Sequence, residues 1–168
     1  LVLKGHEPFP AIAIDRGWNM IMANDAISPF LEGIEDPELL APPVNVLRLA
    51  LHPGGMAPRI ENLDQWRTHL LERLRHQIES TADATLDSLE RELSAYPGRR
   101  KGPPARFDPA SAAVAVPLRM RIGEAVLSFI STTTVFGTPT DVTLSELAIE
   151  SFFPADEATA AFLAANRR

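Results

Sequence analysis

The stretch Val114–Phe136, VAVPLRMRIGEAVLSFISTTTVF, decides the fold. Val114, Val116, Leu118, Met120 and Ile122 alternate with Ala115, Pro117, Arg119 and Arg121. A period of two is the mark of a strand with one buried and one wet face. Pro117 cannot donate to a ladder, so the strand belongs at a sheet edge or carries a bulge. Gly123-Glu124 turns the chain into a second strand, Ala125–Phe136, which is β-branched, aromatic and rich in Thr. A turn over residues 137–141 leads to a third strand, Leu144–Phe153, ended by Pro154. Asp156 then caps a closing Ala-rich helix over residues 157–166. The C-terminal part is therefore a meander of three strands followed by a helix.

Upstream of the meander the pattern is different. Ala11–Ile14 and Trp18–Ala23 are apolar runs flanking Asp15-Arg16-Gly17, which reads as a β-hairpin with Gly17 where a turn can need positive φ. Arg16 and Trp18 fix and pack that turn. Asn24 or Asp25 caps a short helix over residues 26–31, with Pro29 in its first turn. Residues 32–43 read as a loop, and residues 44–51 as a short helix or turn stopped by Pro53-Gly54-Gly55. Asn62 and Gln65 form a capping-box pattern that starts a helix to about Glu79, with Trp66, Leu70, Leu74 and Ile78 on one face. Arg67, Glu72, Arg73, Arg75 and Glu79 are assigned to its other surfaces. A further helix over residues 83–96 buries Leu86, Leu89 and Leu93 and stops at Pro97-Gly98. Arg99–Ala110 is a Pro-rich basic loop. A hairpin separated from a meander by helices implies an α+β fold: a five-stranded antiparallel sheet, helices inserted between strands 2 and 3, and a C-terminal helix. Such a sheet and its helical cover can enclose a pocket.

Composition narrows the function. The 168 residues are 45% apolar and 23% charged, an ordinary globular balance. The absence of cysteine removes disulfides, thiolate catalysis and cysteine metal sites, and fits a cytoplasmic protein. No apolar run is long enough to span a membrane, and no membrane partner is expected. A net charge of -6, from 16 basic and 22 acidic residues, argues against direct binding of nucleic acid by these residues. Arg99, Arg100, Lys101 and Arg106 read as a solvated loop rather than a phosphate contact. No nucleophile–base pair, phosphate loop or zinc-binding helix motif is present, so no catalytic residue, cofactor or metal is expected. His69 and His76 share a helix side but stand about 10 Å apart along it, too far to hold one metal together.

Four segments, AIAIDRGWNMIMAN (11–24), NVLRLALHPGG (45–55), NLDQWRTHLLERL (62–74) and TTVFGTPTDVTLSELAIESFFPADEATA (133–160), resemble the MmyB-like ligand-binding domain of XRE-type helix-turn-helix transcription regulators. The resemblance covers about residues 6–165. It implies a PAS-like sensor domain over residues 9–168, a small hydrophobic, fatty-acid-like ligand, and no catalytic residues. It also implies that residues 1–8 are a linker from an upstream helix-turn-helix domain, in keeping with a sequence that begins at Leu1 without methionine. DNA would be contacted through that domain alone, and palindromic operators favour a homodimer. Candidate ligand contacts are Met20, Met22, Phe30, Leu47, Leu51, Trp66, Leu70, Phe129 and Phe136. Arg48, a lone cation in an apolar stretch, is the candidate partner for a carboxylate head group. The Ser131–Thr134 hydroxyls could bond a polar ligand. The alternative is a ligand-free dimerisation module of the same regulator.

Overall fold

The computed structural model describes residues 1–98, 116–135 and 147–165. Its strands are β1 (Ala11–Asp15), β2 (Met20–Ala23), β3 (Leu118–Ile122), β4 (Ala125–Val135) and β5 (Leu147–Pro154). They form one antiparallel sheet in the order β2-β1-β5-β4-β3, which places the hairpin beside the last strand of the meander. Between β2 and β3 come α1 (Ser28–Leu31), α2 (Val46–Leu51), α3 (Leu63–Thr81) and α4 (Ala84–Ala95). The chain closes with α5 (Glu157–Ala165). This is the α+β, PAS-like architecture that the sequence implies.

The alternation of the strands sorts the sheet into two faces. Ile12, Ile14, Leu118, Met120, Leu127 and Phe129 join Trp66, Leu70, Leu74, Leu86, Leu89 and Leu93 in one core beneath the helices. On the reverse face Ala11, Ala13 and Ile149 form a small cluster with Leu3, which sits in a 3-10 helix over Leu3–His6. Residues 1–8, read as a linker from the sequence, are thus packed in part against β1. β4 runs beyond the end of β5, and the chain from Ala155 into α5 completes its hydrogen bonding there. Ala155 N–H donates to the Ser128 carbonyl at 2.8 Å, and Ser128 N–H donates to the Thr159 hydroxyl at 2.9 Å.

α3 crosses the whole sheet. From Asn62 to Gln77 a helix advances about 22 Å at about 1.5 Å per residue. Five strands separated by about 4.8 Å span about 19 Å. Both ends are pinned by side-chain amides. Asn62, expected as a capping-box residue, makes no cap hydrogen bond. Its amide instead donates to the Pro117 carbonyl at 2.7 Å and accepts from Arg119 N–H at 3.0 Å, tying the helix start to β3. At the other end Gln77 accepts from the Trp18 indole at 2.7 Å and donates to the Arg16 carbonyl at 2.8 Å. Asn24, expected as a cap, likewise turns inward: it accepts from Ala11 N–H and donates to the Leu3 and Phe9 carbonyls.

The hairpin turn departs from the glycine expectation. Positive φ falls on Trp18, at 64°, and not on Gly17. Gly17 is needed for space, because a Cβ there would stand 2.9 Å from the Asn19 side-chain nitrogen. The Asp15 carboxylate shapes the turn by accepting from Gly17 and Asn19 N–H groups at 2.8 and 2.9 Å. The loop read over residues 32–43 contains a 3-10 helix, Pro37–Leu40, capped by Asp36. Replacing Asn62 by Ala leaves the Pro117 carbonyl and Arg119 N–H without their partner. We expect a loss of about 1–3 kcal/mol, read as a lower urea midpoint at unchanged slope.

Candidate functional site

Two adjoining cavities lie between the sheet and its helical cover. The first is a narrow apolar chamber of about 70 Å³. Ile12 and Met20 line it from the sheet, Phe30 from α1, Leu47 from α2, and Trp66 and Leu70 from α3. The short helices reach this position through local polar anchors. Asn45 caps α2 by accepting from Arg48 N–H and holds it to the hairpin by donating to the Gly17 carbonyl at 2.8 Å. Arg59 donates to the carbonyls of Pro29, at 3.2 Å, and Phe30. This seats the Phe30 ring edge-on to Phe129 and Phe152, with centroids 5.0 and 5.3 Å away.

The second cavity is an open cleft of about 430 Å³ beside the first. α3 contributes His69, Glu72, Arg73 and His76, the hairpin turn Asp15 and Arg16, and the sheet Thr133 and Glu150. Glu150 is 4% exposed, an acid on the core side of β5. It pairs with Arg73, one contact being 3.3 Å, and accepts from the Thr133 hydroxyl at 2.6 Å. The Arg73 guanidinium also donates to Thr133 at 2.9 Å and lies 4.9 Å from the Trp18 ring centroid. Trp18, Arg73 and Glu150 line both cavities, so they form the boundary between the wet cleft and the apolar chamber. Burial, followed by the positive field of Arg73, holds the His69 imidazole below its ordinary pKa.

The chamber is apolar, and the cleft beside it mixes charged and apolar groups. The sequence matches the MmyB-like transcription regulator ligand binding domain over residues 1–165. The chain belongs to this family. It is a family of regulator ligand-binding domains, not of enzymes. No curated protein matches the chain.

In this MmyB-like domain, Met20, Phe30, Leu47, Trp66 and Leu70 meet around the chamber. Phe129 is fully buried behind Phe30, and Leu51 is packed in the core at 2% exposure. Met22 points away from the chamber on β2 and is 59% exposed. Arg48 lies outside both cavities, in a bidentate pair with Glu92 at 2.8 Å that the Tyr96 hydroxyl joins at 2.5 Å. The Arg48 hydrogen bond holds the Glu92 carboxyl below the usual range, while burial, followed by the hydrogen bond to Glu92, pushes the Tyr96 phenol up. Phe136 and the basic residues Arg99, Arg100, Lys101 and Arg106 fall outside the described residues. Among the described residues no group of three or more His, Asp or Glu is arranged to hold a metal ion, and no helix is long and apolar enough to cross a membrane.

Sequence reasoning placed Arg73 on the solvent side of α3 and passed over Glu150. A signal was present for both. Arg73 is seven residues after Trp66 and three after Leu70, on the buried stripe. Glu150 is the single charge between Leu147 and Pro154.

A His pKa depressed in the folded state means the unfolded chain binds the proton first as pH falls. Stability from this source is therefore full above the ordinary His value of ~6.5 and declines below it. The stability difference between the unmodified domain and His69→Gln should shrink as pH is lowered from about 7 to about 5. Urea unfolding of both proteins across that range measures the slope.

Proposed function

We propose that the domain is the sensor of a DNA-binding regulator and takes a small hydrophobic, fatty-acid-like molecule between sheet and helices. The observation that carries this reading is the apolar chamber that shares Trp18, Arg73 and Glu150 with the charged cleft beside it. The tail would enter the chamber and the polar end would remain in the cleft. The cleft alone falls in the size range of small-molecule sites, about 300–1,000 Å³, whereas the chamber holds little more than two water volumes. A tail therefore has to widen the chamber. Met20 and Met56, which are long and flexible, line it and can repack.

In the parent regulator, an XRE-type helix-turn-helix domain would make the DNA contacts, and the sensing would take place inside the cell. A ligand that prefers one arrangement of α3 over another would change how two copies present those domains. The small chamber also suits the second reading, a ligand-free dimerisation module, and one experiment separates the two. Protein purified without refolding should release an amphiphile on solvent extraction, seen by mass spectrometry. A saturating fatty acid at about a hundredfold over Kd should add about 2.7 kcal/mol, a melting shift of roughly 5–10 °C. No extracted amphiphile together with no shift across chain lengths from eight to sixteen carbons would leave the dimerisation module as the reading. Light scattering of the purified domain tests the homodimer separately.

A further inference from the structure

Glu150 is out of place by composition: its neighbours across the ladder on the same face are Ile12 and Thr133. A buried acid is retained only with a partner, and Arg73 supplies it. The two partners are unequal. The Glu150 side chain is 5% exposed and that of Arg73 26%, so of two groups that line the cleft the guanidinium is the more open to it. A guanidinium carries five N–H donors. Among the described residues two of them serve Glu150 and one serves Thr133, so the others remain for a guest.

We infer that Arg73 receives the anionic head group of the guest, and that Glu150 sets the strength of that grip by competing for the same guanidinium. The inference rests on the reading of this domain as a receptor for a fatty-acid-like molecule and names the residues that select its head group. The position supports it, since Arg73 is one of the three residues shared by chamber and cleft. A tail in the chamber leaves its carboxylate at this boundary. The flat Trp18 ring beside the guanidinium keeps it in place without using its donors. Two carboxylates on one guanidinium repel each other, so an arriving guest weakens the tie between α3 and β5. Head-group capture and the seating of α3 are therefore the same event. Other charges facing the cleft are His69, Glu72 and His76 on α3, with Asp15 and Arg16 on the turn. Of the cations among the described residues, only Arg73 also borders the chamber.

The test is a calorimetric comparison of dodecanoate with dodecan-1-ol, each below its aggregation concentration. The proteins are the unmodified domain, Arg73→Gln, Glu150→Gln, the double variant Arg73→Gln/Glu150→Gln, and the controls Arg16→Gln and Arg48→Gln. The double variant leaves no lone buried charge, so it remains informative even where Arg73→Gln alone unfolds. The unmodified domain should prefer dodecanoate by about tenfold or more. The double variant should bind dodecan-1-ol as before and lose that preference. Glu150→Gln should bind dodecanoate roughly threefold or more tightly, the size of a fraction of a charged hydrogen bond. Both controls should keep the preference. Retention of the preference by the double variant overturns the inference, as does equal binding of acid and alcohol by the unmodified domain; in both cases the hydrophobic-ligand reading stands. Failure of the unmodified domain to bind either compound overturns that reading and the inference with it.

Discussion

The structure depends on the seating of α3 across the sheet. One helix, longer than the sheet is wide, covers the apolar face from β3 to the hairpin turn. Helix propensity cannot specify that crossing, because a helix buried on an apolar stripe can slide or rotate by a turn at little cost in area. The amides do specify it. Asn62 meets backbone groups on both sides of the β3 start, and Gln77 holds the indole and a carbonyl of the turn. Arg73 adds a tie near the middle, to Glu150 on β5. Hydrogen-bond geometry is directional where apolar packing is not, so these contacts set position while Leu70, Leu74 and Trp66 supply the burial.

The site follows from that seating. A flat helix on a flat sheet would leave no space. Here the sheet curls, α1 and α2 fill part of the gap, and the remainder is divided by the Trp18, Arg73 and Glu150 group into a dry and a wet part. The backbone of Trp18 is left-handed at its turn, an unfavourable state for a bulky residue. The indole hydrogen bond to Gln77 and the guanidinium on its ring are the compensations the structure shows. The same contacts that hold the turn also place an aromatic wall between the chamber and the cleft.

Much of this was legible in the sequence. The change of period from 3.6 to two after the second long helix, and the hairpin around Asp15-Arg16-Gly17, define the elements and the α+β order. The apolar stripe of α3 identifies Trp66 and Leu70 as chamber residues. What was not legible involves polar groups whose partners are distant in the chain. Asn62 with Gln65 has the form of a capping box, but the side chain is used by β3, 55 residues on. Asp15 acts on a turn that the glycine seemed to own. Arg48, enclosed by apolar residues in sequence, belongs to a helix of only six residues whose outer side meets Glu92 of α4. Arg73 carries the opposite error: it has the same sequence appearance as Arg67 and Arg75, and only its phase on the stripe distinguishes it.

The helical insertion also does something at the margins of the sheet. Residue Asn45 bridges to Asn19 beside β2, and Ile60 bridges to Met120 of β3, with Glu61 N–H donating to the Arg119 carbonyl at 2.8 Å. α5 performs the same service where β4 outruns β5. Each flank of the sheet is thereby partly sealed by the protein's own chain, which blocks the main-chain groups that recruit foreign strands. Two copies of such a domain cannot join by extending the sheet across these sealed stretches.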